Sequence, residues 1–309
     1  MFNANARLRL NTDDLDHDLQ VLSFTGTESI SQPYCFNVKL VSSRPDIDLP
    51  DLMHRQAFLA FDDNGHGVHG QIQHIGRGDI GHRLTQYHLT LAPCLANLGH
   101  RFNQRIFQNL SIAQIIGQIL QEHGIHADGY LFQIGQALPD REYCVQYNES
   151  DLHFIQRLCQ EDGLHYHFRH SLDRHLLVFG DDQTVFPRLA RPTPFKKRNA
   201  MVAARPVIHR FECGRNTRTN RTRRPAYDFK KAHLVLESEA RIPNEPRQPD
   251  LEDYLYPDRV LNREHGKLLT RRALERHRSD ELTGEGDSDE PALVSGHFLS
   301  LSEHPDPAE

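Results

Sequence analysis

A change of hydrophobic period constrains this chain more than any other feature. Near its start and as far as Pro93, apolar residues recur at every second position: Leu8 and Leu10 with Arg7 and Arg9 between them, then Phe36, Val38 and Leu40, then Tyr87, Leu89 and Leu91. Alternation of this kind turns one face of each strand inward and predicts antiparallel sheet. Phe58 to Phe61 runs into Asn64-Gly65, a dipeptide that tolerates the positive φ of a tight turn, and Val68 to Ile75 leads away, which predicts a hairpin. From Leu110 the spacing becomes helical, with Ile112, Ile115, Ile116, Ile119 and Leu120 on one stripe. Ser111 and Gln114 have the spacing of a capping box, Leu110 is placed to staple onto Ile115, and Gly124 is placed to end the helix.

A second helix is predicted from Asp151 to Asp162, introduced by Asn148 and Ser150, buried through Leu152, Ile155, Leu158 and Cys159, and stopped at Gly163. A hairpin follows, with Leu164, Tyr166 and Phe168 on one face, His165, His167 and Arg169 on the other, and Leu176 to Phe179 as the return strand. This block ends near Phe186-Pro187. After a basic junction with Pro192, Pro194, Lys196, Lys197 and Arg198, strand character resumes at Val207, and Arg263 to Glu281 reads as a charged helix. Leu293 to Leu301 is expected to form two facing strand segments around Gly296. The chain stops at Glu309 without the strands needed to close a sheet, as expected of a truncated or short form.

Composition limits the function classes. A chain of 309 residues has room for roughly two to three domains. No apolar run approaches the ~18 residues of a membrane-spanning helix, and the N-terminus lacks the pattern of a signal peptide. The 5 cysteines are scattered without a C-x-x-C pair, which points to a reducing compartment. A net charge of -6 argues against general polyanion binding, and 21 histidines make association responsive to mild acid.

Three patterns invite a chemical reading. Gly65, Gly67 and Gly70 match G-x-G-x-x-G, but a strand rather than a helix follows, so the hairpin reading displaces nucleotide binding. His165 and His167 form an H-x-H on one strand face, a spacing that suits a metal ion, with His153 or His175 as a third ligand. No H-E-x-x-H accompanies them, and a buried or interface strand face is the blander reading. Arg215, Arg218, Arg221, Arg223, Arg224, Lys230 and Lys231 are crowded together with only Asp228 opposing them, a pattern that suits phosphate contacts or an acidic partner. Tyr227 and Phe229 supply aromatic groups at one end only. No G-x-S-x-G elbow or protease-like cysteine context is present.

The stretch REYCVQYNESDLHFIQRLCQEDGLHYHF, Arg141 to Phe168, closely resembles the signature of the VgrG spike proteins of type VI secretion systems and of the related phage late-control protein D family. RIFQNLSIAQIIGQIL, Arg105 to Leu120, resembles that family's "IFQ" segment and following helix, and HLTLAPCLANLG, His88 to Gly99, its strand ending in proline. The resemblance extends through PYCFNVKLVS at Pro33 to Ser42 and PALVSGHFLSLSEHP at Pro291 to Pro305. His165 and His167 stand where the family more often has aromatic or aliphatic residues.

The resemblance implies a β-rich α+β fold like a phage tail hub. Two small antiparallel β-barrel-like domains, 1–105 and 191–309, flank an α+β domain at 106–190, and the second barrel is incomplete. It implies a homotrimer of pseudo-sixfold symmetry capping a hexameric Hcp tube, with baseplate components and effector or adaptor proteins as further partners. It also implies assembly in the cytoplasm and export by the secretion machine. No catalytic, cofactor-binding or metal residue is assigned, and neither nucleic acid nor stable membrane insertion is expected. A histidine-metal hydrolase at His165 and His167, and a cargo or nucleic-acid module at 215–231, stand as the alternatives.

Overall fold

The alternating runs do build the first sheet. In the computed structural model, which describes residues 8–12, 18–135, 137–197, 205–227, 235–243, 249–256, 260 and 262–305, the sheet comprises β1 (Arg9–Thr12), β2 (Gln20–Thr27), β3 (Cys35–Ser42), β4 (Gln56–Ala60), β5 (Gly67–Ile80) and β6 (Thr85–Ala92). Arg7, Arg198, Asp228, Phe229, Lys230 and Lys231 lie outside the described residues. The strand order is β1-β4-β5-β6-β3-β2 with antiparallel neighbours, and register shifts in β2 and twice in β5 add twist. The edge strands β1 and β2 approach each other without pairing, so the sheet curls into a half-barrel. Its concave face carries the predicted residues: Val38, Leu40, Tyr87, Leu89 and Leu91 are buried, while Asn37, Lys39, Gln86 and His88 point outward. The Asn64-Gly65 turn forms with Gly65 at φ +89, and the Asp62 carboxylate accepts from the backbone N–H groups of Asn64 and His66. A single helical turn, α1 (Leu49–Leu52), covers one end.

The middle block is α+β. A two-stranded ribbon of β7 (Phe102–Phe107) and β9 (Cys144–Ser150) flanks α2 (Ile112–Glu122) and α3 (Asp151–Asp162). β10 (His165–His170) and β11 (His175–Gly180) form the expected hairpin, and β8 (Tyr130–Gln133) adds to β11 in parallel. The capping box at Ser111 and Gln114 is present in full. Ile112, Ile115, Ile116, Ile119 and Leu120 are completely buried. One apolar cluster runs from Leu10 in the half-barrel through both helices to Phe179, so the first sheet and this block share a core.

Beyond it lie β12 (Thr193–Pro194), β13 (Ile208–Arg215), β14 (Arg221–Tyr227), β15 (Val235–Arg241), β16 (Glu252–Tyr254), α4 (Arg263–Arg278), β17 (Leu282–Ser288) and β18 (Leu301–Ser302). β13 pairs with β17, β14 sits between β15 and β16, and β12 pairs with β18. The expectation of two facing strands over Leu293 to Leu301 is overturned. Within that stretch only a single bridge at Phe298 to Arg188 and the start of β18 have strand pairing. The physical reason is Gly296, whose φ of +71 turns the chain onto the ring of His167 and away from any hairpin partner.

Gly163 shows how tightly the third region is tied to the second. It ends α3 in the left-handed conformation, φ +69, and its N–H bonds to the Cys159 carbonyl. Arg272 of α4 lies where a β-carbon would be, donating to the Asp162 carbonyl and, at 2.9 Å, to Asp181. Gly163→Ala is therefore expected to cost about 1–3 kcal/mol, read as a lower urea midpoint at unchanged m-value; an unchanged midpoint would refute this account of the joint.

Candidate functional site

The stretch Arg141 to Phe168 is organised around Asp151, which has no exposed surface. Ser150 caps α3 by accepting from the His153 N–H, which places Asp151 in the first helical turn, where the helix dipole favours an anion. One carboxylate oxygen accepts from Gln146 Nε2 at 2.7 Å and Arg105 at 3.3 Å; the other accepts from Arg101 Nε at 2.5 Å and faces His123 Nε2 at 2.8 Å. Its backbone N–H also bonds to the Arg101 carbonyl at 2.9 Å. Burial alone would raise this carboxyl, but hydrogen bonds from Gln146, His123 and Arg101, with the charge of Arg105, hold it below the usual carboxylate range. Glu122 of α2 closes the network by taking both arginines.

The other polar residues of the stretch serve the same frame. Arg141 reaches Glu161 and Asp162 at 2.7 Å each, and Arg157 ties Glu149 to Glu161. Phe154, Ile155, Leu158, Tyr166 and Phe168 fill the core. The arrangement can hold strands and helices in register; both oxygens of its one sealed carboxylate are already engaged. Sequence reasoning missed this centre. Its signal was Arg101 just ahead of β7 and Arg105 within it, an even spacing that sets both on one face, followed by a carboxylate next to a serine cap.

The predicted histidine ligands do not converge. His165 and His167 both pack on Phe186, with ring centroids at 4.7 and 5.2 Å. His153 is on α3 and bonds Glu149 at 2.7 Å, while His175 meets His69. Among the described residues no group of three or more His, Cys, Asp or Glu side chains is placed to hold a metal ion. His167 is wholly buried, and neither of its ring nitrogens has a hydrogen-bond partner. Burial, then the charges of Arg169, His165 and His297, pushes its pKa down to about 4.

Four arginines of the basic segment pair with carboxylates of the same chain. Arg218 grips Asp280 with two bonds of 2.6 Å, Arg221 reaches Asp250 and Glu252, Arg223 pairs with Glu237, and Arg224, 5% exposed, pairs with Asp253. These side chains are committed to carboxylates of neighbouring strands and turns. Gly67 and Gly70 lie within β5, and no helix opens after them.

The outer face of the β7–β9 ribbon is different in kind. Its inner face carries Arg105, Phe107, Cys144 and Gln146, whereas Phe102, Ile106, Tyr143 and Tyr147 are 67%, 55%, 54% and 74% exposed around Gln104. An uncharged aromatic surface backed by a rigid network has the composition of a protein contact.

Two outcomes follow from this geometry. Asp151→Asn removes the buried anion that Arg101 and Arg105 hold alongside Glu122 and that His123 faces, and unfolding in urea is expected to show a loss of about 2–4 kcal/mol, below the largest buried-pair values because both arginines are partly solvated and keep Glu122; a change within ~0.5 kcal/mol would be incompatible with a central role. His167 is buried neutral, so its contribution is complete above the unfolded value of ~6.5 and is lost as pH falls towards about 4. His167→Leu should keep or raise stability at neutral pH and flatten the acid slope between those limits. An unchanged slope in urea titrations would contradict the assignment.

The comparisons agree with this structural reading. A family model described as phage tail baseplate hub (GPD) matches residues 27–309. The type VI secretion system spike protein VgrG4b of Pseudomonas aeruginosa is 59% identical over 99% of this chain, and VgrG5 of the same organism is 53% identical over 96%. The chain spans only 38% of the length of each. The actin cross-linking toxin VgrG1 of Vibrio cholerae is 32% identical, with 28% of its length covered. Among solved structures, an Escherichia coli type VI secretion component described as similar to T4 phage tail proteins gp27 and gp5 superposes with a TM-score of 0.73 at 20% identity, covering 97% of this chain and 68% of that one. A prophage tail protein of Shewanella oneidensis gives 0.59 at 9% identity, covering 91% of this chain and 81% of that one. With its β-rich half-barrel fold and its homology to VgrG spike proteins, the chain belongs to the phage tail baseplate hub family.

Proposed function

We propose that this chain is the hub portion of a type VI secretion spike, a mechanical part without catalysis in these residues. The observation that carries the reading is the family match across residues 27–309, and the use of the signature residues for packing, capping and ion pairing supports it. In this reading the chain divides into a first barrel domain at 1–105, an α+β domain at 106–190 and a second barrel domain at 191–309. Three copies form a ring whose six barrel domains present six similar surfaces to a hexameric Hcp tube, which meets the symmetry demand of a closed contact. Assembly takes place in the cytoplasm with baseplate components, and the spike leaves through the secretion machine carrying effector or adaptor proteins. No helix among the described residues is long and apolar enough to cross a membrane.

The exposed face of Phe102, Ile106, Tyr143 and Tyr147 is assigned to contact between copies of the chain. It is uncharged, so two copies of a chain with net charge -6 can meet there without facing like charges. Light scattering at micromolar concentration, with and without purified tube protein, tests both steps. The expected result is a species of three chains on the tube, and Phe102→Glu with Tyr147→Glu should abolish it while the monomer stays folded. A chain that remains monomeric and ignores the tube would overturn the hub reading; a ring that forms despite both substitutions would overturn only the assigned face.

A further inference from the structure

We propose that His69 and His175 form an acid-operated latch between the half-barrel sheet and the β10–β11 sheet, closed in neutral medium and opened by protonation. His69 lies on β5, only 4% exposed, and His175 begins β11; their Nδ1 atoms are 3.0 Å apart. The Cys94 backbone N–H points at His175 Nε2 at 3.4 Å. A peptide N–H can only donate, so His175 Nε2 is bare, its single proton sits on Nδ1, and that N–H donates to His69 Nδ1. The two sheets are thus joined by a directed chain of donors: Cys94 N–H to His175, then His175 N–H to His69.

Adding a proton to either ring reverses a link. On His175 Nε2 it sets N–H against the Cys94 N–H; on His69 Nδ1 it sets N–H against the N–H of His175. Among the described residues, those packed around His175 give a cation there no help. The Tyr34 ring stands edge-on to His175 at 6.0 Å and to His170 at 4.9 Å, its hydroxyl donates to the His69 carbonyl at 2.5 Å, and Phe168 closes the side. Burial keeps the Cys94 thiol neutral beside Gln56. Among the described residues the nearby carboxylate, Glu28, is taken by His170 at 3.3 Å and by the Ser295 N–H at 3.3 Å. Burial, then the charges of His69 and His170, lowers His175 to about 3, so an opened ring with an ordinary affinity takes up a proton that the closed ring refuses. The sign follows: closure is fully favoured above ~6.5 and weakens as pH falls, by about tenfold at pH ~5.5 from His175 alone. The latch does not depend on the proposed function.

Hydrogen exchange on the whole chain at pH 7.5 and 5.5, corrected for intrinsic rates, reads the opening. Protection of Gly67–Gln73 and His175–Gly180 is expected to fall about tenfold or more relative to β3 at the lower pH. The pair His69→Asn with His175→Asn keeps a non-titrating N–H to oxygen bridge and should remove that fall. Equal protection at both pH values, or a fall that persists in the double variant, overturns the latch. Should the variant fold poorly, nitrogen chemical shifts of the histidine rings in the unsubstituted chain decide. A bare Nε2 and protonated Nδ1 on His175 at neutral pH support it, and the opposite tautomer or a pKa near the ordinary value overturns it.

Discussion

A carboxylate that no water reaches, Asp151, sets the terms for the middle of this molecule. Stripping an ion of water costs several kcal/mol even after relaxation, and the cost is recovered only when every acceptor site is filled. Asp151 meets that condition by drawing Arg101 and Arg105 from the β7 side, Gln146 from β9 and His123 from the end of α2 around the first turn of α3. The bonds are directional, so they specify which residues of β7 and β9 face inward. The opposite residues, Phe102, Ile106 and Tyr147, are thereby forced outward. Buried polarity on one side of a two-stranded ribbon thus accounts for exposed aromatic surface on the other.

Charge is used differently further along the chain. Most pairs around β13, β14 and β17 are solvent-exposed and contribute little each, about 0–1 kcal/mol. Arg224 and Arg272 are the exceptions, each nearly buried: Arg224 pairs with Asp253, and Arg272 anchors the region to Asp181 just past β11 and to the Asp162 carbonyl at the end of α3. In the conspicuous run of arginines, Arg218, Arg221, Arg223 and Arg224 find their carboxylate partners on distant strands and turns. Histidine follows a third rule: at His167 and His175 burial disfavours the charged ring.

Much of the frame was legible in the sequence because it rests on local periodicity. The Ser111-Gln114 box, the stripe of α2, the Gly163 stop and the inward set of Tyr166 and Phe168 each follow from spacing within a few residues. What stayed hidden is long-range. The parallel addition of β8 to β11, the Arg101-Asp151 bond across fifty positions and the meeting of His69 with His175 depend on how sheets dock, which no local pattern reports. The misread segment at Leu293 to Leu301 belongs here too: Gly296 turns it onto His167, and its pairing is with residues 187–193 through the Phe298 bridge and the start of β18 rather than with itself.

The proposed hub role rests on contacts between chains, and a block presenting an exposed aromatic face at Phe102, Tyr143 and Tyr147 suits it. Radical footprinting of the chain, free and mixed with purified tube protein, tests the proposed assembly most directly, since it reads each side chain in place. The account predicts that Phe102, Tyr143 and Tyr147 are oxidised readily in the free chain and protected on assembly, with Tyr34 and Tyr166 protected in both states. Equal oxidation of Phe102 and Tyr147 before and after assembly would contradict it.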